Sequence, residues 1–236
     1  MATTKISTRQ FLKEPDKFIT FSEKLIQNAI KYKREIAISA SVIIALIIIV
    51  NIMTSLSNSR EDSASFEIEQ VNKKYEELNT KDPKTAFENI KKDFQTVLDK
   101  YSNTSSGKFA KINYASICYN ANNYDNAIDL YKKALDDFNQ YPELKQLILN
   151  SLGYCYEGKK EYKTALEYFE KVSSEPDSIL KDEAFFNMGR IYALMKDEEK
   201  SLSAFQKINA KDKVNERFHF IYSDLVKEKL AINKKS

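Results

Sequence analysis

Hydrophobic and polar positions along this chain fall into three regimes. Residues 36–53 read IAISASVIIALIIIVNIM without one charge, and the uncharged run continues to Ser59. At about 1.5 Å per residue a helix over this run spans roughly 27 Å, close to the hydrocarbon core of a bilayer. Its only polar side chains are Ser39, Ser41 and Asn51, far cheaper in lipid than an ion. The run predicts a transmembrane helix over 36–56. Its length, and the charged 35-residue arm before it, argue against a cleaved signal peptide.

Upstream, Phe18, Phe21, Leu25, Ala29 and Ile30 recur at helical spacing, with Pro15 and Asp16 at the start of the stripe and lysines 17, 24, 31 and 33 between its members. This predicts a basic amphipathic arm over 1–35. It either lies on an anionic leaflet or docks on a cytoplasmic or intramembrane partner. Downstream the helical period resumes. Phe66, Ile68, Val71, Tyr75 and Leu78 form one stripe; Ala86, Phe87, Ile90, Phe94, Val97, Leu98 and Tyr101 form another. Between them 79–84 reads as a turn, giving a helical hairpin over 60–104. The run SNTSSG at 102–107 reads as the clearest loop in the chain.

Beyond that loop a fixed period appears. Tyr114-Ala115-x-x-Cys118 is followed by Ala127, Tyr131 and Ala134. Leu152-Gly153-x-x-Tyr156 is followed by Ala165, Phe169 and Val172. Met188-Gly189-x-x-Tyr192 is followed by Ser201, Phe205 and Ile208. Every member shifts by 38 and then by 36 residues. The pattern resembles the tetratricopeptide repeat, whose period is about 34. Three repeats are expected over 108–210, with 60–104 as a degenerate fourth. Small residues sit where paired helices cross closely: Ala115, Gly153 and Gly189 on the first helix, Ala127, Ala165 and Ser201 on the second. Tyr131, Phe169 and Phe205 fill the wedge toward the next repeat. Phe218, Ile221, Tyr222, Leu225 and Leu230 predict a capping helix over 213–233. The expected fold class is all-α: one N-terminal transmembrane helix, then an αα-hairpin solenoid of tetratricopeptide type with a C-terminal capping helix.

Composition agrees. Four glycines and four prolines in 236 residues are far too few for a sheet protein. Basic excess is local, with eight Lys/Arg against four Asp/Glu in residues 1–35 and 29 against 30 in the rest. The larger part is therefore near neutral, which gives no footing to nucleic acid. Lys24, Lys31, Lys33 and Arg34 precede the apolar run and Arg60 alone follows it closely. That asymmetry predicts a cytoplasmic N-terminus and a translocated repeat region. Cys118 and Cys155 then lie where a disulfide is chemically open. Helices spaced roughly 8–10 Å apart favour two small buried thiols instead.

Catalytic chemistry finds no constellation. The chain lacks a glycine-rich phosphate loop, G-x-S-x-G and HExxH, and its one histidine, His219, has no acidic or nucleophilic partner at helical spacing. No enzyme, cofactor, metal or small-molecule substrate is expected. Binding remains. The first helix of each repeat lines a concave surface, where Ser116, Tyr119, Asn120, Asn150, Tyr154, Phe186 and Arg190 are not required by the core. They form a candidate peptide- or partner-binding groove, with amides for main-chain groups and rings for apolar side chains. The alternative is an ordinary solvated face.

The layout of basic arm, single anchor, helical hairpins and repeats opening on the run YSNTSSGKFA is similar to the YfgM-type ancillary subunits of the SecYEG translocon in Gram-negative bacteria. That resemblance implies an inner-membrane protein with its repeat domain in the periplasm. Its implied partners are translocon subunits, periplasmic chaperones and exported polypeptides. A structural scaffold of an envelope complex for division, secretion or outer-membrane assembly, without client handling, is the other expectation.

Overall fold

A computed structural model describes residues 17–79 and 82–209, and every regular element among them is a helix. In order these are α1 (Lys17–Lys31), α2 (Lys33–Asn79), α3 (Pro83–Tyr101), α4 (Ser105–Asn120), α5 (Tyr124–Asp137), α6 (Pro142–Gly158), α7 (Tyr162–Ser174), α8 (Lys181–Leu194) and α9 (Glu198–Asn209). The predicted capping helix over 213–233, His219 and the first 16 residues lie outside the described part. Two compact units are distinguished, Met1–Asn58 and Ser59–Ser236.

The first unit holds α1 and the apolar part of α2. Ile36, Val42, Ile47 and Met53 are each more than half exposed, and none of the most apolar stretch is buried within the protein. The helix is thus long and apolar enough to cross a membrane, by length and composition. Ser41 and Asn51 turn their donors onto the helix itself, donating to the Ala37 and Ile47 carbonyls at 2.8 Å each. In a bilayer, donors bonded in this way carry less of the cost of leaving water.

The second unit is a series of antiparallel helical hairpins. Helices α4 and α5, α6 and α7, and α8 and α9 pair, and α5 with α6 and α7 with α8 join successive pairs. Each of these three hairpins turns at a residue in the left-handed region: Asn122 (φ 61°), Lys160 (φ 62°) and Lys196 (φ 62°). The closing bonds repeat too. Asn123, Glu161 and Asp197 donate their amides to the Cys118, Tyr156 and Tyr192 carbonyls at 2.8, 2.9 and 2.9 Å, the hydrogen bond of a Schellman motif. The 38- and 36-residue shift therefore governs the turns as well as the core.

The wedge aromatics lie tighter than their spacing alone implied. A methyl built on Gly153 would come 2.6 Å from the Phe169 ring, and one on Gly189 would come 2.6 Å from Phe205. Glycine is thus demanded by the ring of the paired helix, which lies flush on the backbone. Ser201 adds a polar link, its hydroxyl donating to the Gly189 carbonyl at 2.8 Å. Core residues Phe94, Ile148, Leu152, Phe169 and Ile191 are essentially inaccessible.

Three details of the leading hairpin and its exit differ from the sequence pattern. Phe66 is 63% exposed, while Ala64 and Val71 are buried and Ile68 and Tyr75 pack partly against them. The buried stripe steps 64, 68, 71, 75, 78, and Phe66 lies two residues from Ile68, on nearly the opposite side of the helix. The loop at 102–107 is also shorter than expected. Thr104 caps α4, its hydroxyl accepting from the Gly107 amide at 2.9 Å. The Ser105 and Ser106 amides donate to the Glu61 carboxylate at 2.8 and 2.6 Å. A carboxylate on α2 thus satisfies amides that a helix start leaves open, which lets α4 begin with only three residues between it and the end of α3. Likewise Pro83 opens α3 in place of continuing a turn, with Asp82 as its cap.

Candidate binding groove

The first helices of the repeats, α4, α6 and α8, carry all seven predicted groove residues. Two of the steps along these helices, α2 to α4 and α6 to α8, are joined by polar side chains at a constant offset. From α6 to α8 the Asn150 amide donates to Glu183 Oε1 at 2.9 Å and the Tyr154 hydroxyl to the same atom at 2.7 Å. The Asn187 amide donates to the Tyr154 oxygen at 2.8 Å. Arg190 forks onto Glu157, with Nη2 to Oε2 at 2.7 Å and a second, closer contact from Nη1 to Oε1. The partners Asn150–Glu183, Tyr154–Asn187 and Glu157–Arg190 are all 33 residues apart. This ladder stitches the last two repeats together through their first helices, α6 and α8.

Between α4 and α6 the link is Tyr131 of α5, whose hydroxyl has Ser116 and Ser151 as hydrogen-bonding neighbours. Burial raises its pKa, and the two serines pull partly against that rise. Between α2 and α4 the offset is 41: Ser65 and Ser106 hydroxyls meet at 2.7 Å, and the Asn113 amide donates to Asn72 at 2.7 Å. Asn120 is exposed and neighbours the Tyr75 hydroxyl. A cavity of about 560 Å³ opens beside these contacts, lined by Ser65, Ile68, Asn72, Phe109 and Asn113 among others.

The predicted residues therefore divide. Asn150 is buried, and Ser116, Tyr119, Tyr154, Phe186 and Arg190 are half-buried. Tyr119 stands 5.7 Å from the Tyr124 ring, Tyr154 edge-on to Phe169 at 5.4 Å, and Phe186 5.8 Å from Phe205. Arg190 has its pKa raised, first by the hydrogen bond to Glu157; burial raises that of Tyr119. Sequence reasoning missed Glu157, Glu183 and Asn187, which organise the ladder. It also passed over Phe109 and Leu147, which are 50% and 45% exposed and sit at equivalent positions of α4 and α6. A search for polar pairs one helix pair apart would have found the first three, and the 38-residue shift relates the last two.

Cys118 and Cys155 are both free and fully buried. Burial pushes each thiol up to about 12, so neither is poised for thiolate chemistry. Among the described residues no three His, Cys, Asp or Glu side chains converge as a metal site would require. The groove's means are hydrogen bonding, aromatic surface and one fixed ion pair.

Comparison with known proteins agrees with this geometry. A family model described as a tetratricopeptide repeat-like domain matches residues 31–232. The chain is also similar to a protein of Cyanophora paradoxa that carries the name uncharacterized protein ycf37. The two are 31% identical over 121 residues, which covers 51% of this chain and 64% of that relative. The match thus takes in less than two thirds of the relative's length.

Proposed function

The chain belongs to the tetratricopeptide repeat-like family, and from that premise we propose that it is a membrane-anchored adaptor whose concave helices hold a partner polypeptide. One observation carries this reading. The same chain presents an unburied apolar helix of bilayer length and a row of aromatic and amide side chains along its repeats. Apolar surface of that extent left in water drives aggregation; in lipid it is an anchor. Four basic residues before the run against one after it orient the N-terminus toward the cytoplasm and the repeats across the membrane.

The likeness of layout to YfgM-type subunits supports the SecYEG translocon as the site of action and the bacterial inner membrane as the location. In this reading the groove receives polypeptides emerging in the periplasm and passes them to chaperones. Tethering supplies the mechanism, because a groove held near the exit site meets emerging chains at an effective concentration of order millimolar. Weak contacts then suffice.

A second reading, a structural scaffold without client handling, draws on the ladder between α6 and α8. Asn150 and Arg190 are already engaged by Glu183 and Glu157, as befits a rigid surface for one folded partner. Photo-crosslinkers at Leu147 and Tyr119 in the intact membrane protein separate the two. Capture of channel subunits together with diverse exported chains is expected of the adaptor. A single stoichiometric partner favours the scaffold, and random membrane neighbours alone refute both.

A further inference from the structure

One stretch of the ladder has acceptors left over, and it names the chemistry of a ligand; the inference rests on the adaptor reading above. Glu183 Oε1 accepts from two neutral donors, the Asn150 amide and the Tyr154 hydroxyl, neither of which brings a positive charge to the carboxylate. Of the two cations on its own helix, Lys181 and Arg190, Arg190 is forked onto Glu157, and Lys181 stands two residues from Glu183, on nearly the opposite side of the helix. Asn150 is 4% exposed and its Oδ1 has no hydrogen-bond partner. One turn earlier on the same face of α6, Gln146 is 5% exposed and its Oε1 is equally unmet. Asn150 Nδ2 is bound to Glu183, which directs the planar amide at the carboxylate and keeps Oδ1 beside it.

Unmet buried acceptors are rare in folded proteins and costly. A ligand that would satisfy a carboxylate and two amide carbonyls must bring several donors, no acceptor and a positive charge. An ammonium group has three N–H donors and no acceptor. An anionic group would meet repulsion, and a neutral amide would leave the charge unmatched. Leu147, exposed on the neighbouring azimuth of α6, and the Tyr154 ring, fixed edge-on by Phe169, offer apolar walls for a methylene stem.

We infer that the groove recognises its polypeptide partner through a lysine side chain, the ammonium seated among Glu183, Asn150 Oδ1 and Gln146 Oε1. Small rotations of the two amides open the seat, and the arriving ammonium satisfies both carbonyls while neutralising Glu183.

The test uses the full chain in nanodiscs with fluorescein-labelled peptides Ser-Leu-Xaa-Phe-Asn-Ser, where Xaa is lysine, acetyl-lysine or glutamate. The lysine peptide is expected to bind about tenfold or more tightly than the other two, the scale of a charge-assisted hydrogen bond. Glu183→Gln keeps an acceptor for Asn150 and Tyr154, so the ladder survives. It should erase the lysine preference, bringing the lysine peptide down to the affinity of the acetyl-lysine peptide. Equal binding of all three peptides, or a preference that survives Glu183→Gln, overturns the inference. Should no peptide bind at all, the reading of the groove as a holder of extended chains fails on its own. Titration with n-butylammonium chloride against sodium chloride, followed by NMR of the Asn150 and Gln146 side-chain amides, then decides the seat. Ammonium-specific shifts that Glu183→Gln abolishes uphold it, and their absence overturns it.

Discussion

Gly107→Ala should destabilise the repeat domain although alanine is the better helix former. Gly107 lies in the first turn of α4, and a methyl there would stand 1.9 Å from the Tyr101 carbonyl oxygen and 2.6 Å from its carbon. Even a favourable C···O approach needs about 3.3 Å, so the corner between α3 and α4 must open by more than an ångström. It cannot open freely. Tyr101 is 4% exposed and its hydroxyl donates to Glu67 at 2.8 Å, while the Thr104 cap and the Glu61 carboxylate hold α4 from the other side. Overpacking costs roughly 1–3 kcal/mol, and a weakened cap adds about 1. The helical preference of alanine returns about 0.5–1 kcal/mol. The net loss is about 1–3 kcal/mol, or a fall in Tm of about 3–10 °C for a domain of this size. Thermal melts by circular dichroism at 222 nm, on the full chain in detergent, measure it against Thr96→Ala on the exposed face of α3, where little change is expected. A Gly107→Ala protein as stable as its parent would refute the close approach and the account of the α4 start.

Other outcomes follow from the same structure. Glu61→Gln should lower Tm near neutral pH by a degree or a few. The Ser106 hydroxyl, followed by the Ser106 and Ser105 amides, holds this carboxyl below its ordinary 4.5, so its contribution is present above that value and lost as pH falls through the folded pKa. Melts at descending pH should show the gap to wild type closing, and a pH-independent gap would contradict the charged cap. Lys160→Gly should raise the urea midpoint, by about 0.5–1 kcal/mol of stability, because φ 62° strains any side chain but costs glycine nothing. Cys118 and Cys155 should not react with Ellman's reagent in the native state and should react fully after unfolding. Since burial pushes both thiols from 9 up to about 12, the unfolded chain ionises first, and stability should decline as pH rises beyond about 9.

What the sequence disclosed was the part governed by burial. Apolar spacing exposed the hairpins, and the shift of Gly153 to Gly189 and Phe169 to Phe205 set the register, because each ring must rest on a bare backbone. Polar connections were hidden. Glu61 reaches amides more than 40 residues away, and Glu157 and Glu183 meet partners 33 residues distant. Such contacts depend on the rise and azimuth of one helix against another, which no periodicity within a helix encodes. Charged residues on a helix also read by default as a solvated face, and that default concealed the ladder. Phe66 misleads in the other direction: its apolar type suggests the buried stripe, although its position is out of phase with it and it is exposed.

Sealed inverted membrane vesicles treated with protease test the central claim most directly, with an antibody to the repeats as readout. An anchor crossing once with its basic flank in the cytoplasm predicts that everything beyond Ser59 survives as a protected fragment and is digested only after detergent is added. Digestion of the repeats in intact vesicles would place them on the cytoplasmic side and contradict the account of an adaptor for emerging polypeptides.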